Sequence, residues 1–424
     1  MHRWSTRASI AMGVAVVLAA QTSMVSAQSP SAAAPPGDKV VISLLTGFTG
    51  GDRGAYEDLV AAFNASHPGI EVQMDIQPWD SIKTTVPAAF AAGQGPDIVT
   101  PDFNPGTVLE YAKAGTILPL DDLMGTGANQ IDPAALPQGV VDGNTVDGSV
   151  YAVPANLATL MLYYNKALLA AAGIAAPPTT MDEFRADAKA LTDTAKGQYG
   201  VALADHATIA MWPILVWADG GDIIGADGCS ALADPATIAA VKSWADLFVS
   251  AGISPAGLTG AEADTLVAAG KAALEMNGPW ATGSYTEAGL DYDVAPIPVG
   301  TAGQLTLASS VPFVVNKATA HKDAVYTFLS WWNSKEAQQQ LSLASGFPPT
   351  RADMAADPAL AANPWVTKFA AAVPYSRPYL ANVPKFTQVD EIFSTAIGRI
   401  TRGEAADAVL TDAASQTNTV LGCK

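Results

Sequence analysis

The sequence predicts an α/β protein of two lobes, each a mostly parallel sheet flanked by helices, with short crossings between them. Residues 39–76 read as strand, helix and strand, the βαβ pattern that builds parallel sheets. The apolar residues 151–166 are too many for one strand, and Pro154 breaks them, so this stretch is expected to end one lobe and begin the other. A second apolar stretch, residues 307–316, is expected to be a strand interrupted by Pro312 that returns the chain to the first lobe.

The N-terminus is expected to be a secretory signal peptide that is cleaved after Ala27. Arg3 and Arg7 precede the apolar residues 10–20, a core too short to span a bilayer comfortably. No cysteine follows that core, so no lipoprotein anchor is expected, and no arginine pair precedes it. Residues 28–37 are small, proline-rich and uncharged, which predicts a disordered leader.

The rest of the chain is too long for one ordinary hydrophobic core. A composition of 49 % hydrophobic and 15 % charged residues is typical of a well-buried globular protein. No later stretch of the sequence is long and apolar enough to cross a membrane. The predicted boundaries are 38–154 for the first lobe, 155–310 for the second, 311–350 for the first again and 351–424 for the second again.

The formal net charge of −18 disfavours nucleic acid and anionic lipid as partners, because both repel an acidic surface. The four histidines are scattered and no metal-binding spacing occurs, so the sequence predicts neither a metal nor another cofactor. The two cysteines are Cys229 and Cys423. Export to an oxidising compartment would permit a disulfide, and the sequence leaves open whether the two residues meet.

Three candidate ligand residues follow the predicted strands of the first lobe. The elements are strands 39–45, 70–76 and 97–100 and helices 55–63, 81–92 and 108–114. Phe48, Trp79 and Asp102 come just after the three strands, and ligands of open α/β sheets lie beyond the carboxyl ends of strands. Aromatic rings stack on the C–H faces of sugars and a carboxylate binds hydroxyls, which suits a carbohydrate. The alternative is that Phe48 and Trp79 cap the core.

The second lobe is predicted to begin after Pro154, which places Asn156 where the two lobes meet, a common position for a ligand site. One predicted strand ends at residue 166, and two others cover residues 200–203 and 272–276. Helices are predicted at 167–173, 234–249 and 262–269, and another is predicted to begin at residue 181. Trp212 is a candidate cleft residue, with a core position as the alternative. The turn Asn277-Gly278-Pro279-Trp280 presents a tryptophan at a strand exit, where a restrained ring loses little entropy on stacking.

The return to the first lobe supplies three further candidates. Ser309 lies on the second crossing, and the stiff loop 345–351 presents Phe347 and Arg351. Helices are predicted at 324–332, 337–343, 389–402 and 405–421. A chain that leaves one lobe, builds another and returns is the layout of a binder that closes about a hinge.

Several segments in this order resemble an extracellular solute-binding protein of an ABC importer, in the carbohydrate group that includes maltose-binding protein. They are FNASHPGIEV (63–72), AAGQGPDIVT (91–100), GTILPLDDL (115–123), YAVP (151–154), YYNKALLAAAGI (163–174), PPTTMDEF (177–184), AALEMNGPWATG (272–283), SSVPFVVNKAT (309–319) and SGFPPTR (345–351). The resemblance covers essentially the whole chain after the signal peptide. One departure is Ala158, near the position where maltose-binding protein has an acidic residue.

The resemblance implies a type II periplasmic-binding fold, closure on ligand, and delivery to the membrane permease subunits of an ABC transporter. Trp280 matches the family's ligand-stacking tryptophan, and Asp102 falls in a loop where relatives place an aspartate against sugar hydroxyls. Asn156 and residues 347–351 lie in regions that often line the family's cleft. Without a lipid anchor, a free periplasmic protein is expected, and we expect a monomer.

The leading hypothesis is therefore a carbohydrate receptor that performs no bond chemistry. A receptor for a sugar phosphate such as a glycerol phosphate, or for another small solute, is the alternative within binders, with Arg351 as the anion partner. A secreted glycosidase is the alternative from another class. With 40 acidic residues in the sequence, a possible catalytic pair of carboxylates does not distinguish a glycosidase from a binding protein. The Gly-x-Ser-x-Gly motif of serine hydrolases is absent from the sequence. A structural surface protein is disfavoured by the aromatic strand exits.

Overall fold

The structure, a computed structural model, describes residues 39–103, 106–206 and 211–423, so the predicted signal peptide and leader lie outside the described residues. Its strands are β1 (Val40–Thr46), β2 (Ile70–Ile76), β3 (Ile98–Val99), β4 (Thr145–Val146), β5 (Ser149–Val150), β6 (Ala152–Pro154), β7 (Ala158–Thr159), β8 (Met161–Asn165), β9 (Tyr199–Ala202), β10 (Ala272–Asn277), β11 (Tyr292–Ala295), β12 (Thr306–Ser309), β13 (Pro312–Val315) and β14 (Ser376–Pro378). Its α-helices are α1 (Arg53–Ser66), α2 (Trp79–Ala91), α3 (Gly106–Ala114), α4 (Gln138–Gly143), α5 (Lys166–Ala171), α6 (Met181–Ala190), α7 (Trp212–Ala218), α8 (Pro235–Ala251), α9 (Gly260–Ala268), α10 (Ala281–Glu287), α11 (Lys322–Trp332), α12 (Lys335–Ser345), α13 (Pro364–Ala370), α14 (Phe386–Thr401) and α15 (Ala406–Leu421).

The first lobe is built on a five-stranded sheet of order β2-β1-β3-β13-β6. β1 pairs in parallel with β2 and β3, whereas β13 is antiparallel to both of its neighbours. Leu44 and Leu45 show why helices cover both faces. Successive strand residues point to opposite faces, and Leu44 packs with α1, α11 and α12 while Leu45 packs with α2 and α3.

The second lobe is built on a four-stranded sheet of order β11-β8-β10-β9. β8 is antiparallel to β11 and β10, and β10 is parallel to β9. Three of its four strands therefore share one direction, as do four of five in the first lobe. The helices α8, α14 and α15 pack against one another and share a hydrophobic core with Leu162 of β8 and Leu274 of β10.

The two crossings between the lobes run side by side as an antiparallel ribbon, residues 154–159 and 308–312. Pro154 pairs with Pro312 in the first-lobe sheet, and Ala158 pairs with Ser309 in a small sheet of order β14-β12-β7. Between these pairs, Ala155 N–H donates to the carbonyl of Val311 at 2.8 Å. The chain changes lobe twice within this crossing ribbon.

The second crossing was predicted as one strand interrupted by Pro312, and this detail is wrong. The break falls at Ser310 and Val311, and Pro312 is instead the first residue of β13. Proline cannot donate to a sheet ladder, and it is tolerated at a strand's first residue because no part of that strand's ladder precedes it. Helix α2 also differs from its prediction, since it begins at Trp79 rather than at Ser81.

A helix cap and a disulfide stabilise parts of the second lobe. A capping box begins α6: the Thr180 hydroxyl accepts from the backbone of Glu183, and the Glu183 carboxylate accepts from the backbone of Thr180. Cys229 and Cys423 form a disulfide that ties the end of α15 to the loop before α8. Within the described residues, none of the helices combines the length and apolarity that crossing a membrane requires.

Candidate functional site

The carboxyl ends of β1, β2 and β3 lie along one edge of the first-lobe sheet, and aromatic side chains follow them. The rings of Phe48 and Trp79 are 6.1 Å apart at 82°, and those of Trp79 and Phe103 are 6.0 Å apart at 78°. Edge-to-face contacts of this kind are favourable for aromatic quadrupoles. The first-lobe edge therefore carries a row of three rings with Trp79 at its centre.

The members of this row differ in how much surface they leave accessible. Phe48 is 4 % exposed and stacks on Tyr56 at 3.8 Å, so it packs largely against the core. Trp79 is only partly buried. A ligand at this edge would therefore meet Trp79 more than Phe48.

Asp102 lies at the same edge, buried and engaged within the protein. One carboxylate oxygen accepts from the backbone of Phe103 at 2.6 Å, and the other lies 3.4 Å from Lys83 Nζ. The Lys83 ammonium also lies over the Phe103 ring, 4.6 Å from its centroid. Burial alone would lower the pKa of Lys83, but the charges of Asp102 and Asp390 raise the pKa above its ordinary value. Asp390 belongs to α14 of the second lobe, so this charge cluster reaches both lobes.

Asn156 sits in the crossing ribbon and joins it to the first lobe. Its amide nitrogen donates to the Tyr56 hydroxyl at 2.7 Å, and its side-chain oxygen accepts from the backbone of Val311 at 3.2 Å. The Ser310 hydroxyl donates to the carbonyl of Asn156 at 3.1 Å. Asn156 therefore fastens the ribbon: it hydrogen-bonds the first crossing to the second, and the ribbon to Tyr56 of the first lobe.

Trp280 stands at the carboxyl edge of the second lobe, after β10 and the Gly278-Pro279 turn. It immediately precedes α10 and is partly buried. Phe347, whose ring centroid lies 6.3 Å from Trp280, is also 6.3 Å from Tyr56 of the first lobe. Phe347 therefore packs between an aromatic residue of each lobe.

The remaining predicted residues are engaged within the protein. Asn277 is buried, and its amide nitrogen donates to Asp264 at 2.7 Å. The Ser309 hydroxyl donates to the carbonyl of Phe103 at 2.8 Å, which links the second crossing to the first-lobe edge. Trp212 is fully buried in the second-lobe core, where its indole N–H donates to Ala204 at 2.9 Å.

Arg351 is directed to protein acceptors. Its guanidinium donates to both oxygens of Asp353 at 2.9 Å and to the carbonyl of Asn333 at 3.0 Å. A bidentate pair of this kind satisfies the planar fork that would otherwise bind an anionic ligand.

The edges of the two lobes touch through the loop after β1. A methyl group on Gly51 would lie 2.7 Å from the backbone nitrogen of Ser284 in α10, and one on Gly283 would lie 2.8 Å from the carbonyl oxygen of Gly51. A methyl carbon does not approach a nitrogen or oxygen atom of another residue so closely. Only residues without a side chain permit this contact between the lobes.

A group of buried acids beside this contact was missed by sequence reasoning. Burial, together with the charge of Asp264, raises the pKa of Asp52 to about 7 against the opposing effect of a backbone hydrogen bond. Burial likewise raises the pKa of Asp264 to about 6 and that of Glu275 well above its usual range. The Tyr285 hydroxyl donates to Glu275. The only sequence signal was Asp52 in a glycine-rich loop, because its neighbours lie more than 200 residues away.

Within the described parts of the chain, no cluster of three histidine, cysteine or acidic side chains has the arrangement of a metal site. The edges instead combine aromatic rings, backbone groups and carboxyl groups. Two α/β lobes joined by a two-stranded ribbon, with such side chains where the lobes meet, define a two-lobed binding protein.

The family model for bacterial extracellular solute-binding proteins matches residues 49–339, and the chain belongs to this family. A protein of Brucella abortus (strain 2308), described as a binding protein, is 26 % identical over 380 residues, covering 86 % of this chain and 89 % of its own. The maltotriose-binding protein of Pyrococcus abyssi is 26 % identical over 365 residues, covering 81 % and 73 %.

Among solved structures, the GacH receptor of Streptomyces glaucescens superposes with a TM-score of 0.81 at 23 % identity. The match covers 91 % of this chain and 100 % of the receptor. The predicted fold class, a two-lobed type II periplasmic-binding fold, is therefore confirmed. The family comprises receptors that bind solutes.

Proposed function

We propose that this protein is the receptor of an ABC importer and that it binds a carbohydrate between its two lobes. The observation that carries the proposal is a pair of partly buried tryptophans, Trp79 and Trp280, one at the carboxyl edge of each lobe. Indole rings stack on the apolar faces of sugar rings. The Pyrococcus relative named for maltotriose, and the GacH structure solved with acarbose, support the same ligand class.

Closure about the crossing ribbon is the proposed binding movement. We assign residues 38–154 and 311–350 to the first lobe and residues 155–310 and 351–424 to the second. In this scheme Asn156 fastens the ribbon, and Phe347 packs where both lobes meet. A ligand favours the closed form only by contacting both lobes better when they are closed, which a tryptophan on each lobe allows.

The proposed route begins with export by the N-terminal signal peptide, cleavage after Ala27 and release as a free periplasmic monomer. The receptor then passes its ligand to the transmembrane permease subunits. We propose that it catalyses no reaction of its own. This proposal rests on the family, which is one of solute-binding proteins, and the acids near the edges, such as Glu275 and Asp102, accept hydrogen bonds from within the protein.

A sugar phosphate is the second candidate ligand, and the state of Arg351 counts against it. A sugar-phosphate receptor was expected to use Arg351 to bind the phosphate. The Arg351 guanidinium instead donates hydrogen bonds to the Asp353 carboxylate. Releasing it would leave the Asp353 carboxylate without this partner. The neutral carbohydrate is therefore the better-supported ligand.

The test is a thermal-shift screen of the purified mature protein against maltotriose, acarbose, other neutral mono- and oligosaccharides, and sugar phosphates. A ligand at about 100 times its dissociation constant adds roughly 2.7 kcal/mol to the free energy of unfolding, which raises the midpoint measurably. A rise with neutral sugars supports the proposal. A rise with sugar phosphates alone would overturn it in favour of the second candidate, and a flat response to every saccharide would reject the carbohydrate class.

A further inference from the structure

Each of the two proposed stacking tryptophans lies directly against a glycine of its own lobe. A methyl group built on Gly47 would overlap the Trp79 indole, with Cδ2, Cε2 and Cε3 as its nearest atoms. A methyl group on Gly278 would overlap the Trp280 indole at Cζ3, Cη2 and Cε3. The same arrangement therefore occurs once in each lobe, on loops that leave β1 and β10.

The contact is across the face of the ring. Cδ2 of Trp79 is a fusion atom that both rings enclose within their plane, so a group on Gly47 reaches it only from above or below. For Trp280, three consecutive atoms of the six-membered ring are approached together, whereas an approach in the plane would favour one of them. One face of each indole is thus covered by glycine, and a sugar would stack on the other.

Neither glycine is required for a left-handed backbone. Gly47 and Gly278 are not among the described residues with positive φ, the conformation that most favours glycine. Both positions are also held in place. Gly47 N–H donates to Thr100 at 3.3 Å, and the Tyr163 hydroxyl donates to the Gly278 carbonyl at 2.7 Å. The missing side chain matters because of the ring beside it.

We infer that Gly47 and Gly278 are positioning residues that set the orientation of Trp79 and Trp280 for stacking on the ligand. The consequence for binding rests on the proposed function. The positioning itself does not, because it concerns two contacts within the ligand-free protein. Any side chain at these positions would displace the indole from its face contact and change the surface offered to a ligand.

The first test uses ¹⁹F NMR of the exported protein labelled with 5-fluorotryptophan and free of ligand. Gly278→Ala is expected to move the Trp280 resonance, and Gly47→Ala the Trp79 resonance, each assigned by substitution of that tryptophan by phenylalanine. Gly54→Ala is the matched control, since Gly54 lies in α1 without positive φ and a methyl group there meets nothing within 4 Å. Unchanged Trp79 and Trp280 resonances would overturn the inference.

The second test is a double-mutant cycle on maltotriose affinity, measured by calorimetry. Gly278→Ala is expected to weaken binding about tenfold in the wild type and to have no further effect beside Trp280→Ala, because it acts through that ring. An equal loss in both backgrounds would overturn the inference. If wild type fails to bind maltotriose or any other saccharide, the proposed function fails, while the fluorine spectra still decide the positioning role.

A variant that does not fold is also informative. The double variant Gly278→Ala with Trp280→Ala lacks the overlap and is expected to fold as Trp280→Ala does. If Gly278→Ala alone fails to fold and the double variant folds, the incompatibility is between these two residues, as inferred. If both fail to fold while Trp280→Ala folds, Gly278 has another role and the inference is wrong.

Discussion

The two lobes share one strand arrangement but differ in the chemistry of the edges that meet. In each sheet a single strand runs against the others, β13 in the first lobe and β8 in the second, and each arrives from the other lobe. An arriving strand enters at the edge where the lobes meet. It must run opposite to the strands that end there, so the crossing itself explains the one reversed strand in each sheet.

The side chains at these two edges differ in polarity and charge. The first lobe offers a row of rings around Trp79 and pairs Lys83 with Asp102. The second lobe offers Trp280, and burial raises the pKa values of its acids Asp264 and Glu275. Aromatic rings therefore line the first-lobe edge, whereas the second lobe contributes one tryptophan and buried acids, of which Asp264 acts through its charge on Asp52 of the first lobe.

The largest expected effect on stability comes from the disulfide of the second lobe. Replacing both Cys229 and Cys423 by serine should lower the free energy of unfolding by about 4 kcal/mol, because a cross-link over a long loop restricts the unfolded chain. Urea denaturation of the variant and wild type measures the change. Wild type with a reductant should match the variant, and an unaltered midpoint would show that the disulfide contributes no stability.

The tryptophans test whether the two edges contribute equally to binding. Trp280→Ala should weaken binding of the best saccharide from the screen by about 2 kcal/mol, as loss of an aromatic anchor does, and Trp79→Ala should have a similar effect. Calorimetry measures both. Trp331→Ala is the control, because Trp331 is also partly buried but packs on Phe63 in the first lobe. Affinity that survives Trp280→Ala, with lowered stability, would assign Trp280 to the core.

Protonation of Asp52 gives the next effect. A carboxyl group whose folded pKa is raised keeps its proton in the native state after the unfolded chain has lost it, so stability falls as pH rises through the folded pKa. With that pKa at about 7, Asp52 alone should cost roughly 1 kcal/mol between pH 6 and pH 8. Denaturation across this range should show a smaller decline for Asp52→Asn. An identical slope in the variant would contradict this assignment.

The smallest effect is expected at a surface contact between the lobes. Glu110 of α3 accepts from the Thr387 hydroxyl at 2.8 Å and from its backbone at 3.1 Å. Thr387→Ala should cost no more than about 1 kcal/mol of unfolding free energy, because the contact is exposed and water replaces it. Thr84→Ala is the control, since its hydroxyl bonds only within α2. A much larger loss would mean that this contact holds the lobes together.

Local pattern was enough to predict most elements and the first-lobe edge. The βαβ rule places the ends of β1, β2 and β3 side by side, so Phe48 and Trp79 were expected together, and their rings are 6.1 Å apart. Trp280 was expected at a strand exit and lies at one. These predictions need only strand direction and short spacing along the chain.

Contacts across long spans of sequence could not be predicted in this way. Asn156 finds Tyr56 100 residues away, and Asp52 meets Asp264 only once both lobes are in place. The raised pKa values arise from burial, which single-sequence patterns do not report for a lone acid. The partners of Arg351 were missed for another reason: Asp353 is only two residues away, but nothing in the sequence indicates that the side chain turns towards it.

The place of β13 within its sheet sets an order of assembly. β13 lies between β3 and β6, so β6 has no sheet partner until residues 312–315 are available. The second-lobe sheet needs nothing beyond β11, which ends at Ala295. During synthesis from the N-terminus, the lobe that begins first is therefore completed after its neighbour's sheet, and the early chain stays unfinished until most of the protein has been made.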